Sequence, residues 1–155
     1  MRQRYKLDRT STPAHVVLDN EALGQISTGR PSRPLIVELQ SASESGGLVV
    51  LPTSVLVERN HNRTAPGAAE AIRLLRDARL DELTEGRAAE AVALRVRSRG
   101  GGSVVDAHVA AATLAVVRRF GGTATVATSD PADITRLLDG ADDRTRRAAT
   151  GVLGL

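Results

Sequence analysis

Four acidic residues stand where strands are predicted to end or helices to begin, and their chemistry suits a metal site: Asp19, Glu58, Asp106 and Asp130. Asp19 follows the apolar run at residues 15–18, and Asp130 follows a strand-like segment at residues 123–129. The carboxyl ends of parallel strands meet at one edge of an open α/β sheet, where ligand crevices form. Carboxylates that converge there would hold a hard divalent cation.

The other two acids belong to predicted helices. Asp106 lies at the start of the long apolar-striped segment Val104–Phe120, and Glu58 lies in a short helix-like stretch after the apolar run at residues 48–51. The helix that carries Glu58 follows a predicted strand, so it begins at the same edge of the sheet. We expect Glu58, and also Asp106 at the start of its own helix, to converge with the two strand-end aspartates.

Helix capping is the competing explanation for each aspartate. Ser103 and Asp106 have the spacing of a capping box. Asp130 precedes Pro131, which is typical of an N-cap with proline at the first helical position, and Asp19 could cap the first helix. Capping predicts acids at any helix start, whereas only a site predicts them together at one sheet edge. Both interpretations stay open at the level of sequence.

The elements that must position these acids alternate along the chain. Apolar periodicity predicts helices at residues 20–26, 35–45, 53–58, 67–79, 84–96, 104–119 and 131–138. Strands are predicted at residues 15–18, 48–51 and 123–127, with weaker signals at 80–83 and 150–155. Residues 100–102 are glycines and form a connector, not a Walker loop, because no Gly-Lys-Ser or Gly-Lys-Thr follows. Continuously apolar strands separated by helices favour a three-layer α/β/α sandwich around a parallel sheet.

Length and composition bound the class of protein. The chain has 155 residues, which fits one domain at residues 14–155 after a basic tail at residues 1–13. It contains no cysteine, so disulfides, thiolate metal sites and a cysteine nucleophile are excluded. No apolar stretch approaches the roughly 18 residues of a membrane span, and the first residues lack a signal-peptide core. We expect a cytoplasmic protein.

Charge and aromatic content bear on nucleic-acid binding. The net charge is +3, and residues 1–12 carry all of it, with four basic side chains against one acidic. If four acids of the neutral remainder surround a cation, the rest of the surface is positive and suits a phosphate backbone. Tyr5 and Phe120 are the only aromatic residues apart from histidine, so base-stacking platforms are excluded.

Other candidate catalytic residues have little support. His15, His61 and His108 are scattered, and His108 lies about 200° around a helix from Asp106, so it should point away from that carboxylate. We expect surface or hydrogen-bonded histidines, not ligands. No serine lies in a Gly-x-Ser-x-Gly elbow, so a serine hydrolase is not indicated.

Four segments carry a specific resemblance. They are Val-Val-Leu-Asp-Asn-Glu-Ala-Leu at 16–23, Leu-Pro-Thr-Ser-Val-Leu-Val-Glu at 51–58, Ser-Val-Val-Asp-Ala-His-Val-Ala at 103–110 and Ala-Thr-Ser-Asp-Pro-Ala-Asp at 127–133. In order and separation, over residues 14–140, the chain resembles PIN domains, and within them it is most similar to the VapC-type toxin ribonucleases of bacteria.

The resemblance implies a role for each acid. Asp19, Asp106 and Asp130 match the metal-binding aspartates of the family, and Glu58 matches its acidic partner. The remaining matches are supporting residues: Thr128 is the hydroxyl that orients the site, and Asp133 is a further acid. Glu21 stands where the family usually has asparagine or serine, and it would add a carboxylate or alter metal preference.

The implied activity is Mg²⁺- or Mn²⁺-dependent endoribonuclease, with RNA as substrate. A VapC-type toxin further implies a protein antitoxin and a homodimer. Two alternatives remain open: a PIN-like module that binds or regulates without catalysis, and a housekeeping nuclease for RNA processing.

Overall fold

A parallel five-stranded sheet forms the centre of the fold. The computed structural model describes residues 12–59, 73 and 76–155. The strands among these residues are β1 (Ala14–Leu18), β2 (Val49–Pro52), β3 (Arg79–Asp81), β4 (Thr123–Thr128) and β5 (Thr150–Gly154). Their order in the sheet is β3-β2-β1-β4-β5, and all neighbouring pairs are parallel. Because the five strands are all parallel, their carboxyl ends lie along one edge of the sheet. Since β1 is central in the order, the carboxyl ends of β2 and β4 lie on either side of that of β1.

Helices cover the sheet and complete a three-layer α/β/α sandwich, as the sequence predicts. Seven helices in the described part of the chain are labelled α1 (Asn20–Ser27), α2 (Arg33–Ser45), α3 (Thr53–Glu58), α4 (Glu85–Arg97), α5 (Val104–Phe120), α6 (Pro131–Asp139) and α7 (Arg144–Ala148). Within the described ranges, no helix has both the length and the apolar content of a membrane span.

The core is built on β1 and α5. Val16, Val17 and Leu18 are completely buried, as expected for a central strand covered on both faces. In α5, ten of the 17 residues are buried, which makes it an interior helix and not a surface one. Many of the buried positions of α5 are alanines, and small side chains let a helix lie close to its neighbours. This packing fixes the start of α5 relative to the strand ends.

Element boundaries agree with the sequence predictions to within a few residues. The weak signals at 80–83 and 150–155 correspond to β3 and β5, and the predicted strand at 48–51 is shifted by one residue in β2. Most of the helix predicted at residues 67–79 lies outside the described residues, although Arg79 belongs to β3. The sequence analysis missed α7, because its residues Arg-Thr-Arg-Arg-Ala show no apolar periodicity and none of them is buried.

Two glycines allow the chain to pass closely beside β1 at its amino end. A β-carbon at Gly47 would collide with the carbonyl oxygen of Ala14, and one at Gly122 would collide with that of Pro13. Gly122 also has a positive φ of 76°, which favours glycine. The same Pro13 carbonyl accepts a hydrogen bond of 2.9 Å from the amide of Thr123. These contacts seat β2 and β4 on either side of β1.

Candidate acidic site

The four predicted acids line one cavity at the carboxyl edge of the sheet. The cavity has a volume of about 240 Å³ and is lined by Asp19, Asn20, Glu58, Ser103, Val105, Asp106, Ser129 and Asp130. Asp19 and Asp130 follow the adjacent strands β1 and β4, Asp106 lies in the first turn of α5, and Glu58 is the last residue of α3. Topology alone thus brings together four carboxylates from segments far apart in sequence.

Asp19 is the most buried of these acids, with 7% of its surface exposed. Its Oδ1 accepts a hydrogen bond of 3.0 Å from the amide of Ala22 and caps α1, while its Oδ2 accepts one of 3.2 Å from the amide of Ser129. Burial raises the pKa of Asp19, and hydrogen bonds from the Thr128 hydroxyl and from backbone amides offset part of that rise. The carboxylate is therefore held in one orientation.

Thr128 connects Asp19 with Asp130. Its side chain is completely buried at the end of β4, and its Oγ1 accepts a hydrogen bond of 2.9 Å from the amide of Asp130. The same hydroxyl hydrogen bonds to the Asp19 carboxylate and lowers its pKa. One hydroxyl thus positions the side chain of one acid and the backbone of another, which is a geometry that an orienting residue requires.

Asp106 and Asp130 cap helices, as the competing interpretation expects. Asp106 and Ser103 form a capping box in which Asp106 Oδ2 accepts from the Ser103 amide at 2.7 Å. Oδ1 of Asp130 caps α6 by accepting from the amide of Asp133 at 3.3 Å. Each cap uses one carboxylate oxygen, and the second oxygen of each group has no hydrogen-bond partner among the described residues. Capping and ligand binding are therefore compatible in these two residues.

Glu58 responds to the charges of the other acids. Desolvation raises its pKa, and the negative charges of Asp106 and Asp19 raise it further. Three carboxylates are thus close enough to repel one another. Within the described residues, however, no three acidic or histidine side chains are grouped closely enough to hold a metal ion as they stand. Metal binding would require the side chains to move inward.

An amide oxygen adds an unused acceptor to the cavity. Oδ1 of Asn20 is buried and lacks any hydrogen-bond partner in the described part of the structure. A buried acceptor without a donor is uncommon and costs free energy. Because Asn20 lines the same cavity as the acids, its oxygen would be satisfied by a cation or a water molecule there.

Two supporting acids from the sequence analysis do not line the cavity. Glu21 is exposed in the first turn of α1, where it accepts a hydrogen bond of 3.3 Å from the side chain of Gln25. Asp133 lies 3.7 Å from Arg136 in an ion pair on α6. The structure thus places Glu21 and Asp133 beside the four central acids and not among them.

A polar network around His108 was not found by sequence reasoning. The ring is completely buried, and Nδ1 lies 2.7 Å from Ser54 Oγ while Nε2 lies 3.0 Å from Asp81 Oδ2. Arg87 makes a two-pronged ion pair with Asp81 at 2.8 and 2.9 Å. Arg87 also contacts Glu90. The network joins α3, β3, α4 and α5.

The expectation of a hydrogen-bonded histidine is confirmed for His108 and also for His15, whose ring nitrogens contact Gly121 O and Leu48 N. His61 lies outside the described residues. The only sequence signal for the network was Asp81 at the end of a short strand. Its partner His108 is 27 residues away, a separation that no local pattern reports.

No protein-family profile matches the chain, and no curated protein matches it significantly in sequence.

Proposed function

We propose that this protein is a divalent-metal-dependent endoribonuclease of the PIN-domain type, most similar to VapC-type toxins. The observation that carries the proposal is the cavity shared by Asp19, Glu58, Asp106 and Asp130 at the carboxyl edge of a parallel sheet. The raised pKa of Glu58, caused by desolvation and then by two of the other acids, supports a site that gathers negative charge.

The chemistry of the lining residues fits Mg²⁺ or Mn²⁺. All available donors are oxygens, and the chain lacks the thiolates that softer ions prefer. Oδ1 of Asn20 and the second carboxylate oxygens of Asp106 and Asp130 provide acceptors that no other described residue uses. Asp19, Glu58, Asp106 and Asp130 would hold the ion, which would activate water and neutralise charge developing on the phosphate.

The surrounding residues would set the geometry of that site. Thr128 and the Ser129 amide hold the Asp19 carboxylate, and the capping box fixes Asp106 relative to α5. Caps of this kind keep the carboxylates at their helix ends whether or not an ion is present. Glu58, at the exposed end of α3, is the least constrained acid and would move furthest.

The toxin assignment adds partners and a location. We propose an RNA substrate, a protein antitoxin that blocks the acidic cavity, a homodimer and a cytoplasmic location. A gene for a small antitoxin next to the gene for this protein would favour the toxin. Its absence would favour a housekeeping nuclease for RNA processing or a non-catalytic binding module.

A non-catalytic PIN-like module is the second candidate. The observation in its favour is that, within the described part of the chain, no three acids are grouped for metal binding. Such a module would bind RNA or a protein through the same face without cutting. It predicts that binding survives when the acids are replaced by amides.

The decisive experiment is a cleavage assay. Purified protein is incubated with structured and single-stranded RNAs in Mg²⁺ or Mn²⁺, with and without a chelator. Asp19→Asn and Asp106→Asn should abolish cleavage. Asp142→Asn, which changes the same charge at an exposed position outside the cavity, should not. Cleavage that survives the chelator or both substitutions in the cavity would contradict this mechanism, and binding without cleavage would support the module.

A further inference from the structure

An arginine beside the acidic cavity lies flat against a glycine. Arg59 directly follows Glu58 and lies at the C-terminal cap of α3. A β-carbon built at Gly24 of α1 would be 2.7 Å from Arg59 Cζ and 2.7 Å from each terminal nitrogen. Equal distances to three atoms of the planar group mean that the guanidinium presents its face to Gly24. The glycine leaves the space that this face occupies.

Gly24 is otherwise an unfavourable residue in α1. It is buried within the helix, where glycine is less favourable than any residue except proline. The three atoms nearest to a β-carbon at this position would all belong to the Arg59 guanidinium. The glycine therefore weakens the helix intrinsically while it seats one particular cation.

The seated guanidinium is available to a ligand. Arg59 is exposed, and within the described residues its guanidinium forms no ion pair with a carboxylate and donates no hydrogen bond. Because a guanidinium donates its hydrogen bonds in its own plane, a face covered by Gly24 leaves the donating edge free. That edge has the fork geometry that matches a phosphate.

We propose that Arg59 is a positioning residue that binds a phosphate of single-stranded RNA next to the bond presented to the acidic cavity. This inference rests on the proposed ribonuclease function, since it names the residue that would counter the repulsion between an RNA backbone and four carboxylates. Arg59 follows α3 and thus lies on the β2 side of the cavity. An RNA strand bound to it would continue past α3 and not end in the cavity. An internal strand position is what an endonuclease requires.

The test measures RNA binding separately from cleavage. Affinity for a fluorescein-labelled single-stranded RNA of about twelve nucleotides is followed by anisotropy over a range of salt concentrations, for the full chain with a chelator present. Arg59→Ala should weaken binding about tenfold. It should also reduce the slope of log affinity against log salt by about 0.7, the value for one lost phosphate contact.

Two further variants distinguish the effect of the position of the Arg59 guanidinium from the effect of losing one positive charge. Gly24→Ala keeps the arginine but displaces its guanidinium, so affinity should fall severalfold while the melting temperature stays equal or rises. Arg144→Ala is the matched control, because Arg144 is exposed and has no ion pair within the described ranges. Arg144 also precedes β5, the outer strand on the other side of β1 from β2. Its affinity should stay within about twofold of wild type.

The outcomes are separable from those of the cleavage assay. Unchanged affinity in Arg59→Ala, or equal losses in Arg59→Ala and Arg144→Ala, would overturn the assignment even if the wild type cuts RNA. Unchanged affinity in Gly24→Ala would overturn the seating of Arg59 by the glycine. A loss confined to Arg59→Ala and Gly24→Ala would support the site even if no RNA is cut, in which case the ribonuclease proposal alone would fail.

Discussion

Nε2 of His108 lies 3.0 Å from Oδ2 of Asp81, and this contact ties the interior helix α5 to the edge strand β3. The strand has only three residues and two of them are exposed, so it gains little from burial. Polar contacts of Asp81 with His108 and Arg87 therefore hold β3 in the sheet. Replacing Asp81 should therefore change the stability of the fold without changing the acidic cavity.

Asp81→Asn should lower the free energy of unfolding by about 2 kcal/mol, because the buried ring of His108 and the partly buried guanidinium of Arg87 lose part of their acceptor. Burial would by itself raise the pKa of Asp81, but hydrogen bonds from His108 and Arg87 outweigh it and the pKa is lowered. The ionised carboxylate thus stabilises the fold above the unfolded pKa, about 3.9, and this contribution is lost as the pH falls through the folded pKa.

Denaturant titrations at pH 7 and at pH values below about 4 would measure this difference. Glu82→Gln is the control, since Glu82 is an exposed neighbour and forms no ion pair among the described residues. The difference between wild type and Asp81→Asn should narrow at low pH, while the control stays level with wild type. A wild-type-like Asp81→Asn protein at pH 7 would refute the stabilising role.

Substitutions of Asp106 can show whether this residue only caps α5 or also binds a metal ion. If it only caps α5, Asp106→Ala should cost about 1 kcal/mol with or without metal, and Asp106→Asn should be almost neutral. If it is a ligand, wild type should gain about 1.4 kcal/mol when free Mg²⁺ or Mn²⁺ is tenfold above its dissociation constant. Asp106→Asn should retain metal-free stability and lose most of that gain.

The measurement for Asp106 is a thermal melt of both proteins across a metal titration at constant ionic strength. Asp142→Asn again serves as the control for general screening of charge, because Asp142 is exposed and does not line the cavity. Flat and identical responses in wild type and Asp106→Asn would leave capping as the whole role of this residue.

Glu58→Gln should raise the melting temperature of the metal-free protein at pH 7. Desolvation and the charges of Asp106 and Asp19 raise the pKa of Glu58, so the folded state favours its protonated form. The folding stability of wild type relative to Glu58→Gln should therefore be greatest below the unfolded pKa of about 4.3. It should fall as the pH rises through the folded pKa of Glu58. Melts at pH 4 and pH 7, with Glu82→Gln alongside, would detect this. A lower melting temperature for Glu58→Gln at pH 7 would show that the repulsion is absent.

The sequence predicts a parallel sheet and the edge at which the acids lie, because strands separated by helices favour parallel pairing and strand ends follow from apolar runs such as the one before Asp19. It does not predict how closely the acids approach. That distance depends on side-chain packing, including the turn at Gly102, where φ is +70° and a β-carbon would lie 3.2 Å from Asp106 Cβ. Nor does it predict the Asp81 partner of His108, since that pair spans the connection from β3 through α4.

Gly47 and Gly122 give the fold a mutational signature of its own. Both lie at the amino edge of the sheet, across β1 from the acidic cavity, and any side chain there would strike the carbonyl of Ala14 or Pro13. In a saturation library screened for both solubility and RNA cleavage, these two positions should reject every substitution in both screens. Asp19, Glu58, Asp106 and Asp130 should instead tolerate amides in the first screen and fail in the second, which would separate residues that maintain the scaffold from residues that act through it.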